Sequence, residues 1–143
     1  MRLSLQTDYA LRTLMYLASI PERATIQQVA DLFRISADHV AKVVQHLNRL
    51  GYIRSVRGVG GGIELGRPAS EIRIGEVIAA FEATMHLLEC VGRDGVCVVE
   101  NFCKLKGVLA EAERIQRDYL NSVTLQDVLP TRQQLRRVQS DAP

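Results

Sequence analysis

The chain has 143 residues, 47% hydrophobic and 24% charged, which is the balance of one soluble globular domain and excludes a disordered or membrane-embedded chain. Aromatic residues make up only 5% and Trp is absent, so Leu, Val, Ile and Ala must fill the core, and the fold class expected is mainly α. The net charge of +2 is unevenly spread: residues 1–69 carry nine Lys or Arg against five Asp or Glu, and residues 70–143 nine against eleven, which makes the first half the nucleic-acid candidate.

The first element reads as a helix from about Thr7 to Ser19, because Leu5, Tyr9, Leu11, Leu14, Met15 and Ala18 recur at three- and four-residue steps. Its apolar run Leu14–Ala18 is preceded by Asp8 and Arg12 and followed by no small-residue cleavage site, so a cytoplasmic protein without a membrane span is expected. Pro21 stops the helix, and Thr25-Ile26-Gln27-Gln28 then has the T-x-x-Q form of a capping box opening a short second helix through Val29, Ala30 and Phe33. After a tight turn at Arg34-Ile35, Ser36 stands as N-cap of a third helix whose inner face is Val40, Val43, Val44, Leu47 and Leu50, ending at Gly51.

A short helix, a tight turn and a longer amphipathic helix form a helix-turn-helix, whose second member enters the major groove of double-stranded DNA. Base contacts are expected from its N-terminal half: Ser36, Ala37, Asp38, His39 and Lys42. The stretch 52–65 alternates as two strands about a glycine-rich turn, a small β-wing, with Arg54 and Arg57 projecting from the first strand. Gly60 and Gly61 allow backbone amides to approach a phosphate or a narrow groove. The same glycines lack the G-x-x-x-x-G-K-[ST] form and open no helix, which argues against nucleotide binding.

Beyond Pro68, Ile72, Ile74, Val77, Ile78 and Phe81 suggest a fourth helix. Glycines and charges then replace helical periodicity, which places Cys90, Cys97 and Cys103 on a loop with C-x6-C-x5-C spacing. From Leu105, the residues Val108, Leu109, Ala112, Ile115, Tyr119 and Val123 keep helical spacing for roughly five turns, and so long an amphipathic helix in a small chain points to a dimer seam. Residues 1–69 thus read as a winged helix-turn-helix, 70–129 as cysteine loop and dimerisation helix, and 130–143 as a tail without ordered structure.

Three cysteines cannot all pair within one chain, so a disulfide framework does not fit. Thiolates are soft ligands suited to an iron-sulfur cluster, and the spacing lacks the C-x2-4-C pairs usual in structural zinc sites. The bland alternative is that some of these cysteines are small buried apolar residues. His86 lies four residues before Cys90 but is an ordinary surface or capping residue on its own, and spacing leaves any fourth ligand open.

The residues Met1-Arg2-Leu3-Ser4, Asp8-Tyr9-Ala10-Leu11-Arg12, the segment Val56-Arg57-Gly58-x-x-Gly61-Gly62-x-x-Leu65-Gly66-Arg67-Pro68 and the cysteine trio together resemble the Rrf-type (BadM) winged-helix regulators, over residues 1 to about 129. Within that family the chain is most similar to nitric-oxide-sensing repressors. The resemblance implies a homodimer on an inverted-repeat operator. It also implies a 4Fe-4S cluster held by Cys90, Cys97 and Cys103, with Asp8 from the partner subunit as fourth ligand. Read from its neighbours alone, Asp8 is a first-turn acid favourable to the helix dipole and paired at i+4 with Arg12. Cluster-biogenesis members of the family use a His three residues after the last Cys, where this chain has Lys106, while iron-responsive members also have three cysteines. Iron sensing and a cluster-free thiol switch are therefore the competing expectations, and an enzyme is not expected, since no nucleophile-base constellation is visible.

Overall fold

A computed structural model describes residues 2–140; Met1 of the amino-terminal signature and residues 141–143 of the tail lie outside the described residues. Helix α1 (Leu5–Ser19) is capped by Ser4, whose hydroxyl accepts the Thr7 N–H. Its fully buried residues include Ala10, Thr13, Leu14 and Thr7, whereas Leu5, expected on the apolar stripe, is 62% exposed. The reason is that α1 is central, packed against a third helix, a fourth helix and the hairpin, so it buries more than one face. Its threonines are tolerated inside because their hydroxyls are bonded: Thr13 donates to the Tyr9 carbonyl at 2.7 Å and Thr7 to the Glu82 carboxylate.

Helix α2 (Ile26–Phe33) opens with the expected capping box, Gln28 N–H donating to the Thr25 hydroxyl at 3.1 Å and the Gln28 side chain accepting the Thr25 N–H at 2.8 Å. It ends at Arg34 in the left-handed region, φ 54°. Helix α3 (Ala37–Arg49) begins after Ser36, which has cap conformation although its side chain makes no capping bond. It stops at Gly51, φ 78°, where the Tyr52 N–H reaches back to the Leu47 carbonyl. Strands β1 (Ile53–Val56) and β2 (Gly62–Leu65) pair antiparallel with Arg54 opposite Glu64, and a bridge from Ala24 to Ile63 joins the hairpin to the segment before α2.

A single 3-10 turn (Ala69–Glu71) leads to α4 (Ile74–Phe81), and Ile72, counted in the helical pattern, is instead a fully buried residue just before it. After the cysteine segment comes the long α6 (Lys104–Ser122), with the one-turn helix α5 (Glu89–Gly92) between. The chain then returns to the start of α4: Ile74 N–H donates to Val123 O at 2.9 Å and Leu125 N–H to Ile72 O at 2.7 Å. Helices α4 and α6 cross closely at Gly75, where a Cβ would stand 2.1 Å from Asn121 Oδ1.

The stretch expected to be an unstructured tail contains a further helix, α7 (Arg132–Ser140), opened by a second Thr-x-x-Gln box at Thr131 and Gln134 and resting Leu135 against the core. The hydrophobic core itself is one cluster centred on Leu14, Val29, Val40, Leu47, Ile72, Val77 and Leu125, shared by both halves of the chain. Among the described residues no helix is long and apolar enough to cross a membrane.

Candidate nucleic-acid interface and cysteine loop

The N-terminal half of α3 presents Ser36, Asp38, His39 and Lys42 to solvent, while Ala37 is half-buried and packs towards the core. The buried face of the helix, Val40, Val43, Val44 and Leu47, fixes its rotation, so the polar side chains stand on the outer face that a major groove would meet. The His39 ring lies beside Tyr9 of α1, their centroids 6.1 Å apart.

The wing is braced rather than free. Arg54 Nε donates to Glu64 Oε1 at 2.9 Å, Arg23 Nε to Glu64 Oε2 at 2.9 Å, and Arg23 Nη1 to the Gly60 carbonyl at 3.3 Å. Hydrogen bonds from Arg54 and then Arg23 hold the Glu64 carboxyl below the usual range. Arg54, expected as a DNA contact, therefore has its charge offset within the hairpin. Arg57, one residue beyond β1, is exposed and pairs with no carboxylate among the described residues. Gly61 closes the turn through its N–H to the Gly58 carbonyl, and a Cβ there would meet Val56 O at 2.4 Å. Arg67, part of the wing signature, turns the other way: its guanidinium stacks on Tyr52 at 4.3 Å and donates to the Leu50 carbonyl, closing the end of α3. Sequence reasoning missed Arg23 and Glu64, although the cross-strand pairing of Arg54 with Glu64 follows once the hairpin register is written out.

The cysteine segment is more structured than a plain loop. Cys90 sits in α5, Cys97 lies exposed on a turn, and Cys103 is the N-cap residue of α6; all three thiols are free. Lys106 ties the segment down, bonding Asp94 at 2.9 Å and, more closely, Glu100, whose other oxygen accepts the Gly95 N–H at 2.6 Å. These bonds, to Glu100 first, push the Lys106 ammonium well above its ordinary pKa, so the residue three positions after Cys103 is a cation held between two carboxylates.

Asp8, in the first turn of α1, bonds Arg12 Nε at 2.8 Å, the intrahelical pairing its spacing suggests. Among the described residues no three His, Cys, Asp or Glu side chains are gathered closely enough to hold a metal ion, so one protomer does not bring the trio and Asp8 to a common point. What it does provide is three uncommitted soft donors on one short span, the donor chemistry an iron-sulfur cluster requires. Glu82, at the end of α4 and ahead of the cysteine span in the chain, accepts the Ser4 N–H at 2.7 Å and the Thr7 hydroxyl at the start of α1.

The comparisons with known proteins agree with this geometry. The Rrf2 family, described as iron-dependent transcriptional regulators, matches residues 3–131. The chain is 40% identical to the HTH-type transcriptional regulator NsrR of Shouchella clausii over 95% of its length and 93% of that protein's. It is 39% identical to NsrR of Bacillus licheniformis over 98% of this chain and 100% of that one. Among solved structures, CymR (YrzC), the global cysteine regulator of B. subtilis, superposes with a TM-score of 0.75 at 21% identity, covering 90% of this chain and 95% of its own, which supports the fold. The chain belongs to the Rrf2 family: it is a winged helix-turn-helix transcriptional regulator and not an enzyme.

Proposed function

We propose that the protein is a cytoplasmic homodimeric repressor that holds a 4Fe-4S cluster and releases an inverted-repeat operator when nitric oxide reaches that cluster. The observation that carries the reading is the trio of free thiols at Cys90, Cys97 and Cys103, which lie in the segment between α4 and α6, while Glu82 at the end of α4 is bonded to the start of α1. The family's description as iron-dependent and the two NsrR relatives support it. The seam is supported by α6, whose Leu105, Val108, Ala112, Ile115 and Tyr119 follow a three-four spacing and are all exposed in the single chain. A two-fold pair would set two α3 helices in successive major grooves about one helical turn apart.

When bound, the cluster supplies iron that nitric oxide attacks. The three cysteines would hold it from one protomer, and Asp8 of the partner subunit would complete it with an oxygen ligand that is weaker than a thiolate. Asp8, bonded to Arg12 in the single chain, would then be shared between the cluster and the N-terminal turn that Ser4, Thr7 and Glu82 fix against α4. Holding or freeing Asp8 would bias the dimer between two arrangements with different operator affinity.

The family description also favours a second reading, in which the same site reports iron supply. Anaerobic purification with an absorbance spectrum and iron and sulfide assays, followed by nitric oxide titration and operator binding on the same sample, separates them. Parallel loss of cluster absorbance and DNA affinity supports nitric oxide sensing. Release on iron depletion alone supports iron sensing, and colourless protein that binds DNA moves the reading to a thiol switch. The variant Cys97→Ala should lose the cluster; unchanged iron and sulfide content would remove Cys97 from the ligand set.

A further inference from the structure

Glu113 is the one charged residue whose side chain is buried among the described residues, 5% exposed, and neither the DNA-reading surface nor the α6 seam uses it. Both of its carboxylate oxygens are taken: Oε1 accepts the Leu87 N–H at 2.6 Å and Oε2 faces His86 Nδ1 at 2.9 Å. Burial works to raise its pKa, but the bonds from His86 and Leu87 outweigh that and keep it a carboxylate. A buried carboxylate is costly unless both oxygens are satisfied, so this pairing fixes where residues 86 and 87 stand on α6.

The contact continues to the cysteine segment. The His86 ring lies so close to Gly92 that a Cβ there would be 2.2 Å from Cδ2 and 2.3 Å from Nε2. Gly92 ends α5, the single turn that contains Cys90, and a four-residue helix has no stability of its own. Cys103, for its part, is the N-cap residue of the same helix α6 that holds Glu113.

We propose that Glu113 is a positioning residue for Cys90: through Leu87 and His86 it anchors α5 to α6 and so sets the Cys90 sulfur relative to Cys103. For cluster assembly this rests on the ligand reading above, but the anchoring itself exists without metal. The Lys106 bonds to Asp94 and Glu100 reference the stretch on either side of Cys97 to the same helix.

The test is thiol alkylation, resolved cysteine by cysteine, on full-length metal-free protein under reducing conditions. Glu113→Ala should speed alkylation of Cys90 about tenfold, and Glu113→Gln, which keeps an acceptor for Leu87, about threefold. Gly92→Ala, which displaces His86 from the other side, should also speed it, with Cys97 and Cys103 unchanged in all three. No change at Cys90, or equal acceleration of all three thiols in variants with native circular dichroism, overturns the proposal. If Glu113→Ala fails to fold, Glu113→Gln and Gly92→Ala decide the matter. The same proteins, reconstituted anaerobically, should lose cluster absorbance to a chelator faster than wild type. If wild type holds neither iron nor sulfide while the Cys90-selective response stands, the cluster reading falls and the anchoring role survives.

Discussion

Removing Arg57 isolates what the wing does to DNA. This guanidinium is exposed and unpaired among the described residues, whereas Arg54, three positions earlier, shares Glu64 with Arg23 at 2.9 Å. A cation that neutralises one phosphate of duplex DNA releases about 0.9 counterion, so in the proposed dimer two symmetry-related Arg57 residues on phosphates would account for about 1.8 in the slope of log affinity against log salt. Between about 50 and 200 mM salt, Arg57→Ala should therefore lose about twelvefold less affinity than wild type, while binding more weakly at low salt. Arg54→Ala should flatten the slope by less than half as much, because Glu64 already offsets that charge, and Glu64→Gln should steepen it. Fluorescence anisotropy with one operator fragment across a salt series, repeated with a scrambled fragment, makes the measurement. Equal slopes for wild type and Arg57→Ala would refute the phosphate assignment. Equal flattening by both arginine variants would show that the Glu64 pairing does not persist on DNA, and an effect confined to one base pair would identify direct readout instead.

Other perturbations test the frame that holds these surfaces. Gly75→Ala would place a Cβ 2.9 Å from the Asn121 backbone nitrogen, which no side-chain rotation relieves. It should cost about 1–3 kcal/mol and lower the thermal midpoint by roughly 4–12 °C; an unchanged midpoint would contradict the close crossing. Bonds from Thr7 and then Ser4 hold the Glu82 carboxyl below its ordinary value of 4.5, so its contribution is complete above that pH and fades on acidification. Glu82→Gln should accordingly be less stable than wild type at neutral pH and show a shallower acid limb in thermal melts, and parallel limbs would exclude the linkage. Lys106→Met should speed amide exchange across residues 94–100 without touching α3, and uniform protection in both proteins would show that the clamp is dispensable.

The DNA-reading half was legible because its signals are local. The Thr25 capping box, the Gly51 stop and the glycine turn of the wing each depend on residues within a few positions, and each appears where expected. What escaped depends on distant partners. Thr7 is a core residue only because Glu82, 75 positions away, accepts its hydroxyl, and Glu113 is buried only because residues 86 and 87 meet it. Polarity alone favours the surface for such residues, and tertiary hydrogen bonds override it here. Helix α7 is a different omission: Thr131 and Gln134 repeat the spacing that revealed α2, but with Leu135 and Val138 as the main apolar residues behind them the periodicity was too sparse to read.

The hydrogen bonds that join Ile74 to Val123 and Leu125 to Ile72, with Arg73 donating to the Asn121 carbonyl at 2.7 Å, clamp the C-terminal end of α6 to the start of α4. The 19-residue helix is about 28 Å long from a pivot at Asn121 to Cys103, and the bonds of Glu113 to residues 86 and 87 and of Lys106 to Asp94 and Glu100 tie the cysteine span to it, so that the span would move with the helix. A tilt of about 10° at the pivot would carry the cysteine end by about 5 Å. In the proposed sensor, chemistry at the thiols would therefore act at the point of α6 farthest from Asn121, where a small angular change gives the largest displacement.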